Sequence, residues 1–141
     1  MDPSVPAGAA RLLDFVRLIE TGRADRASYD VIYGHNQAKL AKPLTSMTLD
    51  EVIAAGPGWT KRLSAAGAYQ FMNATLKGLK RELGLRGGQV FAPDLQDRLG
   101  YHLLRRRGYD AFMAGTIGEA EFGKRPESKK PPGRTAFRLS S

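Results

Sequence analysis

Residues 12–22 read Leu12-Leu13-Asp14-Phe15-Val16-Arg17-Leu18-Ile19-Glu20-Thr21-Gly22, an apolar helical pattern that ends on a single carboxylate just before a glycine. Five apolar side chains recur at helical spacing and predict a helix that is packed against a core: Ala9, Leu12, Leu13, Val16 and Ile19. Glu20 falls in the last turn, where the negative end of the helix dipole opposes a carboxylate by roughly 0.3–1 kcal/mol. That field and partial burial would both raise the pKa of the carboxyl, which suits a proton donor in catalysis. The alternative for a helix-terminal glutamate is an ordinary solvated surface charge.

The totals of the sequence limit the class of protein. A chain of 141 residues is long enough for one domain with a substantial core and too short for two ordinary ones. Its hydrophobic fraction is 42%, as in globular proteins, and no run of about eighteen apolar residues could span a bilayer. The absence of cysteine excludes disulfides, thiolate metal sites and a cysteine nucleophile. We therefore expect a soluble monomer that uses no metal and no cofactor.

The start of the chain bears on where the protein is made. Residues 1–6 carry an acid where a secretory signal needs basic residues, and no uninterrupted apolar stretch follows. This pattern predicts synthesis in a cytoplasm without a signal peptide.

The net charge of +8 is concentrated at the end of the chain, because residues 124–141 hold six Lys or Arg and one Glu. A basic surface favours polyanions such as nucleic acid, anionic lipid or bacterial cell-wall polymers. The same residues are rich in Pro, Lys, Arg and Ser, which predicts a disordered tail. We therefore place one folded domain at residues 1–123 and a basic, Pro-rich tail at residues 124–141.

The remaining patterns predict a mainly α member of the α+β class. Residues 29–33 are aromatic and β-branched and are followed by turn residues, so we expect a strand there and a hairpin with residues 37–44. Thr48 and Glu51 form a capping box that begins a short helix over residues 49–55. Two longer helices follow, one over residues 73–83 that ends at Gly84 and one that begins at Pro93 and ends near Gly108. Residues 109–114 form a further helical turn.

Residues 64–71 place small side chains directly before two aromatic rings and an amide. Small side chains let the backbone approach a ligand or another helix closely, and Gln70 offers both a donor and an acceptor. A tight helix crossing and a ligand-binding wall both remain open on this pattern alone.

Taken together, these segments resemble the phage lambda lysozyme family of endolysins over about residues 12–115. The resemblance rests on an acid before Thr21-Gly22, on Tyr29-Asp30-Val31-Ile32 followed by Gly34, and on a Ser/Gly-rich stretch that leads to Tyr69-Gln70. It continues through Leu83-Gly84-Leu85 and a helix with Gln96-Asp97 that reaches Arg107-Gly108. It implies a lysozyme-like, mainly helical fold with a small β-hairpin beside the active-site cleft, and a bacteriolytic enzyme of bacteriophage that degrades the cell wall.

The resemblance also implies roles for individual residues. Glu20 matches the catalytic glutamate, which would protonate the β-1,4 glycosidic oxygen between N-acetylmuramic acid and N-acetylglucosamine. Five residues match the substrate-binding wall of the cleft, namely Tyr29, Asp30, Ser64, Tyr69 and Gln70, of which Asp30 could instead support the fold. Two positions depart from the family: an arginine of the family is Ala68 here, and the family's closing helix with a tryptophan gives way after Phe122 to the basic tail.

The resemblance further implies the type of reaction. Lambda-type enzymes are similar to lytic transglycosylases, in which the C6 hydroxyl of muramic acid attacks and one protein carboxylate serves as acid and then base. Hydrolytic muramidases need a second carboxylate. We expect transglycosylation, with hydrolysis by Glu20 and a second acid as one alternative and a catalytically impaired peptidoglycan-binding protein as another. The partner is then the glycan strand, reached after release to the periplasm, and Arg105-Arg106-Arg107 alone does not indicate a specific nucleic-acid partner.

Overall fold

A computed structural model of the chain describes residues 1–58, 65–113 and 115. This part of the chain is mainly helical, with α1 (Ala7–Thr21), α2 (Leu49–Ala55), α3 (Asn73–Leu83), α4 (Pro93–Arg106) and α5 (Tyr109–Met113). The predicted mainly helical class is confirmed, as are the positions of these helices. Within the described ranges no helix is long and apolar enough to cross a bilayer. The predictions for Ser64, the domain boundary at residue 123 and the tail of residues 124–141 lie outside the described residues.

Helix α1 buries one face and leaves another exposed. Ala9, Leu13 and Val16 are buried, but Ile19 is 45% exposed, so its predicted place in the core is wrong. Successive helical residues are rotated by 100°, which places Ile19 about 120° away from Leu13. Glu20 is only about 20° from Leu13 and is partly buried. The carboxylate therefore continues the buried face of α1, at its last turn.

Helices α1 and α4 cross closely at Gly100. A Cβ added to Gly100 would lie 3.1 Å from Leu13 Cδ2 on α1 and 3.1 Å from Tyr69 Cδ2 in the turn of residues 66–71. The apolar face of α4 is buried around this point, with Leu95, Leu99, Leu103 and Leu104. Because Gly100 has no side chain, the centre of α4 packs directly against both α1 and the turn of residues 66–71.

The predicted β-hairpin does not form. Tyr29 and Asp30 end a 3-10 turn (Arg26–Asp30), and residues 37–39 form another 3-10 turn where the second strand was expected. The extended residues after Asp30 pair instead with residues 65–67. The Gly67 N–H donates to the Val31 carbonyl (2.7 Å), and the Tyr33 N–H donates to the Ala65 carbonyl (2.9 Å). Only isolated bridges result in the described part of the chain, because Gly34 and His35 both take left-handed conformations that turn the backbone away.

The ends of α2 and α3 follow their sequence signals. The Thr48 hydroxyl accepts from the Glu51 N–H (3.1 Å), and the Glu51 carboxylate accepts from the Thr48 N–H (2.8 Å), which confirms the capping box. Helix α3 buries Leu76 and Leu79 and ends at Gly84, whose φ is 63°. Helices α2 and α3 contact each other, and both contribute to the core.

Residues 66–71 form a tight turn whose backbone crosses directly over α4. Ala66 and Phe71 exchange two backbone hydrogen bonds (3.0 and 2.9 Å). Gly67 has a φ of 82°, and a Cβ added there would lie 2.9 Å from the Gln96 side-chain carbonyl carbon and 3.2 Å from the Phe91 ring. Only glycine fits this position without displacing buried groups.

Gly67→Ala should lower the free energy of unfolding by about 2–4 kcal/mol, because it adds both a left-handed alanine and a clash with a buried amide. Chemical denaturation measures the change. The matched control is Gly78→Ala within α3, where nothing lies within 4 Å of the added Cβ. That variant should gain roughly 0.5–1 kcal/mol from helix propensity. Equal effects in the two variants would contradict this account of the turn.

Candidate active site

The carboxylate of Asp97 on α4 connects three separate segments. Its Oδ1 accepts hydrogen bonds from the Tyr29 hydroxyl (2.8 Å) and the Tyr69 hydroxyl (2.5 Å). Its Oδ2 accepts from the backbone N–H of Asp2 (2.9 Å). Asp97 is only 1% exposed, so its carboxylate has lost its hydrating water. The three donors take the place of that water.

Gln96, the preceding residue on α4, bonds to backbone groups in the same region. Its Oε1 accepts from the Ala68 N–H (2.9 Å), and its Nε2 donates to the carbonyls of Tyr29 and Phe91 (both 3.0 Å). The side chain is completely buried and all three bonds span several residues of chain. Gln96 and Asp97 together hold the turn of residues 66–71 beside the turn that carries Tyr29.

Tyr29 and Tyr69 are core residues in this structure. They are 4% and 1% exposed, and their rings meet edge to face with centroids 6.3 Å apart. Burial raises the pKa of Tyr29 to about 12 and raises the pKa of Tyr69 as well, with the Asp97 carboxylate adding to both shifts. Both hydroxyls therefore remain protonated donors to Asp97.

Gln70 bonds to the backbone of the turn and to the neighbouring extended segment. It is 9% exposed, and its Nε2 donates to the carbonyls of Val31 (3.1 Å) and Gly67 (2.9 Å). Its φ of 51° is left-handed, a conformation that costs a non-glycine residue roughly 1–2 kcal/mol. The bonds to Val31 and Gly67 hold this conformation in place.

Several contacts fix the end of α1 that carries Glu20. Gly22 is left-handed, and its N–H donates to the Leu18 carbonyl (2.9 Å). The buried Thr21 hydroxyl donates to the Arg17 carbonyl (2.7 Å) and lies 2.9 Å from the Arg23 carbonyl. One turn before Glu20, the Arg17 guanidinium lies 4.9 Å from the centre of the Tyr29 ring, an attractive cation–π contact. The turn around Tyr29 is therefore in direct contact with α1, one turn before Glu20.

An open polar depression of about 520 Å³ lies directly after Glu20. Six residues line it, namely Thr21, Gly22, Arg23, Ala24, Asp25 and His35. The Arg23 guanidinium donates to both carboxylate oxygens of Asp25 (2.6 Å each) and thereby lowers the pKa of that carboxyl. The depression offers hydrogen-bonding groups to a polar ligand at the end of α1, and Glu20 precedes its first lining residue in the sequence but does not line it.

The remaining carboxylate of the predicted site has a structural partner. Asp30 Oδ1 accepts from the backbone N–H of Thr45 (2.9 Å), which ties the turn around Tyr29 to the segment before α2. The interpretation of Asp30 as a supporting residue agrees with this contact.

The structure brings three of the predicted site residues together in the core. Tyr29 and Tyr69 meet at Asp97, Gln70 bonds to Val31 and Gly67, and the contact of Arg17 with the Tyr29 ring links this region to α1. Because all three residues are buried, they do not line an open surface. Glu20 is partly exposed, and Ser64 lies outside the described residues.

The roles of Gln96, Asp97 and His35 were not predicted from the sequence. A signal for the first two was present, because Gln96 shares a helical stripe with Leu99 and Leu103, and Asp97 shares one with Gly100 and Leu104. Polar residues at core positions need buried partners. His35 carried no such signal, since it follows Gly34 in what is simply a turn sequence.

The basic residues Arg105, Arg106 and Arg107 lie at the end of α4 and have separate environments. Arg105 pairs with Asp110 (2.8 Å), Arg106 lies 3.7 Å from Glu82, and Arg107 is only 3% exposed, so the triplet does not form a basic face. Residues 1–58, 65–113 and 115 contain no cluster of three His, Asp or Glu side chains that could hold a metal ion.

No family model, curated protein or solved structure matches the chain. The resemblance to the lambda lysozyme family therefore depends on the sequence motifs alone.

Stability should decline at alkaline pH because of the two buried tyrosines. An unfolded tyrosine loses its proton near pH 10, whereas the pKa of Tyr29 is about 12 and that of Tyr69 is also raised. The free energy of unfolding should be fully retained below about pH 10 and should then fall by about 1.4 kcal/mol per pH unit for each tyrosine. Urea denaturation between pH 8 and pH 11 measures this slope. In Tyr69→Phe the slope should be about half as steep, and an unchanged slope would exclude Tyr69 as its source.

Proposed function

We propose that this chain is a phage-type endolysin that cleaves the β-1,4 bond between N-acetylmuramic acid and N-acetylglucosamine in peptidoglycan. Glu20 is the catalytic acid, and the domain has a lysozyme-like arrangement of helices. The enzyme is made in the cytoplasm of a bacterial host and acts on the wall after its release. The resemblance of the sequence motifs and the position of Glu20 both support this proposal.

The position of Glu20 is the observation that carries the proposal. The residue continues the buried face of α1, about 20° from Leu13 around the helix, yet it is a carboxylate. It also faces the unfavourable end of the helix dipole. The neighbouring contacts of Thr21 and Gly22 fix its backbone, and an open depression of about 520 Å³ begins at Thr21, the next residue. A partly buried glutamate on a fixed backbone, next to the residues that line an open depression, suits a general acid.

Three other carboxylates already have hydrogen-bond partners, so none of them is an evident second catalytic acid. This favours transglycosylation over hydrolysis. Asp25 is paired with Arg23, Asp30 accepts from the Thr45 N–H, and Asp97 is buried with three donors. In the transglycosylase mechanism Glu20 first protonates the glycosidic oxygen. The bond between C1 and the protonated oxygen breaks, and N-acetylglucosamine leaves with a free hydroxyl. The resulting carboxylate accepts the proton of the C6 hydroxyl as that oxygen bonds to C1, so the same group serves as acid and base.

A second candidate function is peptidoglycan binding without cleavage. The observation that favours it is Ala68, which is completely buried where the lambda family carries an arginine. The Ala68 N–H donates to Gln96 Oε1, so the backbone at this position belongs to the core. Any substrate contact that the family's arginine makes is absent at this position of the chain.

Glu20→Gln should abolish wall lysis, with a loss of at least about a hundredfold, because a positioned general acid contributes about that much or more. Stability should be unchanged or should rise by roughly 0.3–1 kcal/mol, since the substitution removes a negative charge from the helix C-terminus. Turbidity of a wall suspension and thermal denaturation measure the two effects.

Glu82→Gln is the matched control. Glu82 lies in the last turn of α3 before a left-handed Gly84, but its side chain is 48% exposed and lies near His102. This control should retain full lytic activity. Full activity in Glu20→Gln would remove Glu20 from the mechanism, whereas equal loss in both variants would point to a general effect of charge.

Mass analysis of the released muropeptides distinguishes the candidate functions. Transglycosylation predicts products with 1,6-anhydro ends that are lighter by one water than the products of hydrolysis. Reducing muramic ends would favour hydrolysis by Glu20 with a second acid. Binding to purified peptidoglycan with no released fragment would favour the second candidate function.

A further inference from the structure

His35 contacts the end of the helix that carries Glu20. Its Nε2–H donates to the carbonyl oxygen of Thr21, the residue directly after Glu20, at 3.1 Å. The last carbonyl groups of a helix have no partner within the helix, and Thr21 is only 2% exposed. The imidazole therefore supplies a partner to a carbonyl of a buried residue.

The contact depends on an unusual backbone conformation at His35. His35 has a φ of 59° and follows Gly34, whose φ is 72°. Two consecutive left-handed residues reverse the chain after Tyr33, and the second of them costs roughly 1–2 kcal/mol when it is not glycine. His35 therefore has an unfavourable backbone conformation, and in this conformation its ring contacts the end of α1.

The contact differs in kind from the other bonds at this helix end. The bonds of the Thr21 hydroxyl to Arg17 and of the Gly22 N–H to Leu18 lie within α1 and its cap, so they shape the last turn. The bond from His35 comes from a separate segment, which also pairs with residues 65–67 through the Tyr33 N–H. It therefore fixes the last turn of α1 relative to the paired residues 31–33 and 65–67.

We propose that His35 is a positioning residue that holds Glu20 against the substrate through the Thr21 carbonyl. This inference rests on the proposed function. Small displacements of a catalytic group reduce the rate of the chemical step strongly, on the order of a hundredfold for about 1 Å. Loss of the bond should therefore lower kcat and leave KM nearly unchanged.

His35→Gly tests the proposal, because it removes the imidazole and also relieves the left-handed backbone, so the fold is retained. Its kcat on soluble glycan strands should fall at least tenfold, with KM changed less than twofold. His35→Gln retains an N–H donor on a side chain of similar reach and should recover most of the lost kcat. His102→Gln is the matched control, because His102 is the other histidine and bonds to Glu82 on the surface.

Three outcomes would overturn the proposal: wild-type kcat in His35→Gly, a loss confined to KM, or no recovery in folded His35→Gln. A measurement without substrate separates this proposal from the proposed function. The Gly22 amide, bonded to Leu18, should exchange hydrogen at least tenfold faster in His35→Gly, while the Leu85 amide beyond α3 should not change. If the wild type releases no muropeptide, the proposed function fails and this exchange still tests the positioning, which unchanged Gly22 exchange would overturn.

Discussion

The buried carboxylate of Asp97 is the constraint on which the rest of the structure depends. It accepts from the hydroxyls of Tyr29 and Tyr69 and from the backbone of Asp2, so one side chain of α4 joins three segments that are far apart in sequence. A buried carboxylate without such donors would cost several kcal/mol, which makes the three contacts interdependent. The described strand-like segments form only isolated bridges, and side-chain bonds to α4 therefore take the place of a backbone ladder.

Gln96 supplies hydrogen-bond partners to buried backbone groups, as Asp97 does to the two tyrosine hydroxyls. The turn of residues 66–71 buries peptide groups, such as the Ala68 N–H, that its pairing with residues 31–33 does not satisfy, and an unsatisfied group costs about 1–3 kcal/mol. The Gln96 amide meets this requirement for Ala68, Tyr29 and Phe91 at once. The close approach at Gly67 and Gly100 is a direct consequence, because the turn must lie on α4 for an amide to reach its backbone.

The features that were predicted from the sequence are those with local causes. The capping box at Thr48, the glycine ends of α1 and α3 and the proline start of α4 each act within one turn of helix, so a short window contains all the information. The partner of Val31 was not predictable in this way, because residues 65–67 lie more than thirty residues later and residues 37–44 looked equally suitable. The order of the motifs predicted Tyr29 and Tyr69 as site residues, whereas their burial and their shared acceptor Asp97 show that both lie in the core. Periodicity overestimated the buried face at Ile19, since real packing covers only part of an apolar helix.

The last turn of α1 shows where local preference and the proposed chemistry conflict. At the position of Glu20 an apolar residue would extend the face of Leu13 and Val16, and a cation would suit the helix dipole better. Instead the chain places a carboxylate there and stabilises the surrounding turn with Thr21, Gly22 and a left-handed His35. These bonds hold the backbone of the last turn, which carries Glu20. A fixed backbone beneath an unfavourably placed carboxyl suits the proposed proton transfer, because a general acid must be held within reach of the oxygen that it protonates.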